Sequence, residues 1–196
     1  MYSDPEGTFS SLRTAAAPAD LAAYRAMPQF SVSLGKLVVM SLCTFGLYDV
    51  YWAYKQWDAQ RKREQEDISP FWRAVFAPLF GFSLFPRLQR IIVSYGVPAT
   101  WSGPALATAY FLLQLMWRLP DPYWWLSLLS FVPIVVAQRS INELNQAVAP
   151  DAPRNASYSG ANVVVIVIGG LFLLLALIGT FLSPEPVGQG QLPVSA

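Results

Sequence analysis

From Ala161 to Leu182 the chain reads A-N-V-V-V-I-V-I-G-G-L-F-L-L-L-A-L-I-G-T-F-L, without one charged residue. At 1.5 Å per residue such a run matches a hydrocarbon core of about 30 Å. It predicts a membrane-spanning helix. The whole chain points the same way, with 54% hydrophobic and only 13% charged residues, against about 25% charged in an ordinary soluble domain. Within the run, Asn162, Gly169, Ala176 and Ser183 recur every seven residues. That places a small or polar stripe on one face, where another helix can approach closely.

The stretch from Lys36 to Phe76 organises the rest. Val32 to Tyr54 is also long enough to span, but it contains Lys36, Asp49 and a Thr44-Phe45-Gly46 step. Lys36, near its start, can snorkel to the interface. Tyr48, Tyr51, Trp52, Tyr54 and Trp57 crowd the other end, where amphipathic rings favour the headgroup level. One straight span is the expectation, with a re-entrant hairpin broken at Gly46 as its rival. Lys55 to Ser69 continues as a charged helix, with Asp58–Lys62 and Arg63–Asp67 at i, i+4 spacing. Arg61-Lys62-Arg63 lies just past the apolar run and marks this side as cytoplasmic. It also offers a contact for anionic lipid headgroups.

Residues 70–96 place Phe71, Trp72, Val75, Phe76, Leu79 and Phe80 on an apolar stripe that Arg73, Pro78, Pro86, Arg87 and Arg90 interrupt. This predicts an interfacial or re-entrant helix pair broken at Pro86. Residues 105–119 and 123–138 form a helical hairpin about the Pro120-Asp121-Pro122 turn, with Trp117, Trp124 and Trp125 as an aromatic belt at its bend. The predicted fold is therefore an all-α integral membrane protein. It has about four transmembrane helices, near 32–54, 105–119, 123–138 and 161–182, plus the helix pair at 70–96. A single membrane domain occupies 31–183, between a flexible N-terminal segment (1–30, with room for a turn or two of helix at Asp20–Met27) and a flexible tail (184–196). Lys and Arg are most asymmetric when 70–96 stays cytoplasmic, which leaves both termini outside. A re-entrant first element instead puts the N-terminus inside and leaves three spans.

Little in the composition supports catalysis. There is no histidine, so the commonest general base and metal ligand are missing. The single Cys43 allows no internal disulfide and reads as a small packed hydrophobe. No carboxylate or cysteine cluster has metal-ligand spacing, and no glycine-rich phosphate loop occurs, so neither metal nor cofactor is expected. A net charge of +1 gives no global field for nucleic acid. The N-terminus lacks the basic flank and apolar core of a cleavable signal. Asn155-Ala-Ser157 matches a glycosylation acceptor, a short pattern of little weight. Asp49 stands out because an acidic group in a span usually has a partner; Lys55 and Arg73 are the candidates. Gln114 is expected to hydrogen-bond across helices.

The segments T-F-G-L-Y-D-V-Y-W-A-Y-K-Q-W (Thr44 to Trp57) and S-P-F-W-R-A-V-F (Ser69 to Phe76) resemble a family of small bacterial inner-membrane proteins of unknown function. Its members carry a T-x-G-x-Y-x-x-Y-W-x-Y-K signature after a lysine-containing apolar run, and the resemblance covers roughly residues 31–90. It implies a bacterial cytoplasmic-membrane protein and no activity. The expected function is a non-enzymatic partner-binding or accessory role at the cytoplasmic leaflet. Asp49, Trp52, Lys55, Arg61, Lys62, Arg63, Trp72 and Arg73 are the candidate partner or lipid contacts. Gly169 and Ala176 are candidates for packing on another membrane protein or a second copy. The alternative is a small transporter or channel using Asp49 and Gln114.

Overall fold

The computed structural model describes residues 18–182. Residues 1–17 and 183–196, which include the rest of the expected flexible segments, Arg13 and Ser183, lie outside the described residues. All elements among the described residues are helices: α1 (Pro18–Ala26), α2 (Leu34–Cys43), α3 (Leu47–Glu64), α4 (Pro70–Val75), α5 (Ala77–Ser94), α6 (Gly103–Leu115), α7 (Phe131–Val148) and α8 (Gly160–Leu182). Two 3-10 segments, Met116–Arg118 and Tyr123–Ser130, join α6 to α7.

The straight helix expected over 32–54 does not form. Phe45 (φ 50°) and Gly46 (φ 86°) occupy successive left-handed positions, and the chain turns back on itself. Glycine takes such a φ without a Cβ penalty, and no α-helix continues through it. Polar groups at the turn are used locally. The Gly46 N–H donates to Ser41 O at 2.9 Å, and Thr44 Oγ1 accepts from the Tyr48 N–H that begins α3. The reversal sets the lead-in to α2 against α3: Arg63 donates to Met27 O, Lys55 lies over the Phe30 ring, and Gln56 donates to Phe30 O. Part of the segment 18–30 packs against the bundle. Tyr24, Gln29 and Val32 are buried, and α1 ends against α7, where Arg25 donates to Val148 O.

Helices α5–α6 and α6–α7 pack as further antiparallel pairs, whereas α8 runs parallel to α2, starting beside Lys36 and placing Gly169 beside Cys43. Along α5 and α6, Phe82 meets Phe111, Phe85 meets Tyr110, and Gln89 holds both Trp101 O and the Gly103 N–H. The expected break at Pro86 is absent. Helix α5 runs through it, and the break falls at Phe76 instead. Pro86 forfeits one backbone bond, but Leu84, Phe85 and Leu88 on either side are almost fully buried and hold the helix in place. Gly103 approaches so closely that a Cβ there would lie 2.6 Å from Pro86 Cα. The α6–α7 hairpin forms as the sequence suggested, with Gln114 near Ser130 at its bend and Trp101 bonded to Ser140 further up.

Helix α8 begins beside Lys36, passes the α2–α3 turn, and ends with Phe181 against Trp125. Ser159 and Asn162 cap it reciprocally, each side chain accepting from the other's backbone N–H. Among the described residues, two helical units are long and apolar enough to cross a membrane, Tyr123–Val148 and Gly160–Leu182. The small-residue stripe on α8 meets the chain's own α2: a Cβ on Gly169 would overlap Cys43 O, 1.7 Å away. Gly169 thus packs against α2 within the chain.

These contacts sort the charges. Arg25, Lys55, Arg61, Lys62, Arg63, Arg87, Arg90 and Arg154 gather around the loops 27–33, 64–69, 95–102 and 149–159 at one end of the bundle. Arg118 and Asp121 lie at the other end, in the α6–α7 bend. Substituting Gly169 with Ala should lower the thermal midpoint measurably, because α8 must move off α2. Gly35→Ala, whose Cβ meets nothing within 4 Å, should leave it unchanged or raise it through helix propensity worth up to about 1 kcal/mol. Circular dichroism melts of both variants in one detergent make the comparison.

A buried polar column as candidate functional site

Helices α3 and α7 face each other with polar rows that the sequence hides among apolar residues. Asp49, Trp52, Gln56 and Gln60 recur every three or four positions along α3, and Gln138, Asn142 and Asn145 do the same along α7. That spacing puts each set on one helix face. All but Asn142 are at most 4% exposed. A buried polar group without a partner costs free energy, and most of these groups are joined in a continuous column.

At its lower end both Asp49 oxygens are engaged. Ser41 Oγ donates to Oδ1 at 2.5 Å and Ser130 Oγ donates to Oδ2 at 2.9 Å. Gln114 donates to Ser130 Oγ and Tyr110 Oη. The cation expected beside Asp49 is not there. Lys55 is on another face of α3, over Phe30, and Arg73 lies 4.5 Å from the Trp57 ring centroid. Higher up, Trp52 Nε1 donates to Gln138 Oε1 at 2.6 Å. Gln56 and Gln138 both donate to Phe30 O, Asn142 donates to Val32 O, and Asn145 donates to Gln29 O. The extended segment 27–33 has no helix or sheet ladder of its own, so side-chain amides supply the partners its carbonyls need. The Gln29 amide, oriented with its oxygen toward Arg63, accepts at 2.8 and 2.9 Å and donates to Gln56 at 2.9 Å. Tyr24 Oη closes the column by donating to Asn145 Oδ1 at 2.6 Å. Burial raises the Tyr24 phenol well above its ordinary range, which keeps that donor protonated. Trp57 Nε1 and both polar atoms of Gln60 are buried without a protein partner.

The candidate contact residues therefore divide. Asp49 and Trp52 are interior and face no partner surface. Arg63 is half-buried, its guanidinium 5.0 Å from the Tyr24 ring centroid, and Arg73 is sandwiched between Trp57 and Phe80. Both fasten elements of the chain to one another. Lys55 is partly covered by Phe30. Arg61 and Lys62 are exposed, paired with Asp58 at 3.1 and 2.7 Å. Such surface pairs contribute about 0–1 kcal/mol and leave the cations free to exchange partners. Trp72 is exposed, stacked with Phe76 and edge-on to Phe71, both also exposed. Ser41, Ser130 and the α7 amides were not singled out from the sequence. The i, i+4, i+7 spacing of Gln138, Asn142 and Asn145 was the signal available.

No family model, curated protein or solved structure matches the chain. Replacing Asp49 with Ala leaves two buried hydroxyls without an acceptor, at about 1–3 kcal/mol. Asp49→Ala and Ser41→Ala should each destabilise, and the double variant should lose less than their sum by about 0.5 kcal/mol or more. Unfolding of the four proteins in a mixed-micelle denaturant titration gives the coupling. Additive losses would mean that the Ser41–Asp49 bond contributes nothing.

Proposed function

We propose that this is a non-enzymatic, multi-pass protein of the bacterial cytoplasmic membrane that binds a partner at the cytoplasmic leaflet. The observation that carries the reading is the pairing of two surfaces. The basic end presents Arg61, Lys62, Arg90 and Arg154 to solvent, and the exposed ring cluster Phe71, Trp72 and Phe76 belongs to the α4–α5 pair beside it. Clustered cations at one end identify the cytoplasmic side under the positive-inside rule. An aromatic patch next to them suits a neighbouring membrane protein or the headgroup layer.

In this reading three segments cross: α6 with its 3-10 extension, the 123–148 unit, and α8. The α2–α3 and α4–α5 pairs enter from the basic side and return to it, and the N-terminal helix α1 is cytoplasmic. The fourth crossing expected from the sequence required an unbroken helix over 32–54. The bacterial inner membrane is what the family resemblance of the Thr44–Trp57 segment implies. A transport role for Asp49 and Gln114 has less support, because hydroxyls hold both Asp49 oxygens and Gln114 is bonded to Tyr110 and Ser130.

The test is purification of the tagged protein from its native membrane in mild detergent, with co-purifying proteins identified by mass spectrometry. The parent should remain in the membrane pellet after alkaline carbonate washing and bring a stoichiometric partner. The Phe71→Ser, Trp72→Ser double variant should lose that partner while keeping its melting behaviour. Carbonate release of the parent, or unchanged partner recovery with the double variant, would contradict the reading.

A further inference from the structure

Lys36 is the buried cation that the column does not use. It is 5% exposed, and its Nζ donates to Asn155 Oδ1 at 2.8 Å and to Ser157 O at 2.9 Å. Both acceptors are neutral. Among the described residues no carboxylate pairs with it. An ammonium has three donors and no acceptor, so one N–H remains; the Tyr158 ring lies 5.9 Å from Nζ, but among the described residues no anion faces the charge. Burying a charge is costly unless it is paired. Here the ammonium faces a cavity of about 510 Å³ whose lining holds no acidic residue. That lining holds side-chain donors: the hydroxyls of Tyr48, Tyr51, Tyr158 and Ser159, and the Asn162 amide.

We propose that this cavity is a site for the phosphate of an anionic phospholipid headgroup, with the Lys36 ammonium as its ion-pair partner. The inference rests on the membrane-embedded reading above and adds a ligand to it. Size and polarity both fit: a phosphodiester needs several converging donors and a cation, which the cavity supplies. The surroundings favour a lipid over a soluble anion. Met40 lines the same cavity, and directly after Asn162 the outward face of α8 carries exposed Val163 and, a turn further on, Val167. A headgroup in the cavity would therefore leave its acyl chains along an apolar helix face. The adjoining cavity shares Tyr51 and Asn155 and adds Lys55, together with Lys62 paired to Asp58.

Native mass spectrometry of the full chain, delipidated and then titrated with phosphatidylglycerol or phosphatidylcholine, tests the assignment. The parent should retain one phosphatidylglycerol with at least tenfold preference over phosphatidylcholine. Lys36→Gln should lose that preference, and Lys36→Arg should keep most of it. Because Lys36→Gln removes bonds that anchor the 155–158 loop, Asn162→Asp provides a second probe. It preserves the helix cap and the chain's shape while placing a carboxylate in the cavity, and should weaken retention at least tenfold. Equal retention by a folded Asn162→Asp protein would overturn the proposal. Displacement of the lipid by millimolar inorganic phosphate would assign the site to a soluble anion and overturn the lipid part. Failure of retention in a protein that still resists carbonate extraction refutes this inference alone, whereas carbonate release refutes the membrane reading beneath it.

Discussion

Extended backbone buried between helices has nowhere to send its carbonyls, and this fold depends on how that problem is solved. Gln29 O, Phe30 O and Val32 O accept from side-chain amides of Gln56, Gln138, Asn142 and Asn145. Those four residues come from two helices far apart in sequence, so the same bonds that satisfy the segment also fix α3 against α7. Each is worth about 0.5–1.5 kcal/mol net, but leaving one unmade in a dry interior costs more. The network thus selects one arrangement of the bundle more than it adds stability.

The reversal at Phe45–Gly46 follows from the same economy. A helix running straight through 32–54 would carry the 27–33 segment away from α3 and leave its carbonyls unpaired. Turning back brings that segment alongside Gln56 and Arg63, and places Ser41 where it meets Asp49. The charge distribution then makes sense: the N-terminal Arg25 joins the other cations at one end. Buried Asp49 is held by two hydroxyls, a neutral environment in which an acidic group is a link between helices and not a counter-ion.

Much of the helical architecture was legible. The uncharged 161–182 run and the turn at Pro120–Pro122 are local signals that tertiary contacts do not override. The places where the sequence reading failed share one cause. At 32–54, hydropathy favoured a span, and the competing signal was two residues whose backbone takes positive φ, one of them Phe45, which has no intrinsic preference for it. At Pro86 the local rule predicted a break, but burial of Leu84, Phe85 and Leu88 outweighed one lost hydrogen bond. Among the site residues, aromatic and basic identity suggested surface contacts. Buried Trp52 and half-buried Arg73 are instead fasteners, because what decides their role is the partner brought by another segment: Gln138 for Trp52 and Trp57 for Arg73.

The central claim is that the first apolar stretch turns back toward the end it left. Spin labels at Met27 and Lys62, both exposed and both lining one cavity, measure this directly by double electron–electron resonance in lipid nanodiscs. The re-entrant account predicts a single short distance. A distance approaching the about 45 Å imposed by straight helix between positions 32 and 62 would contradict it.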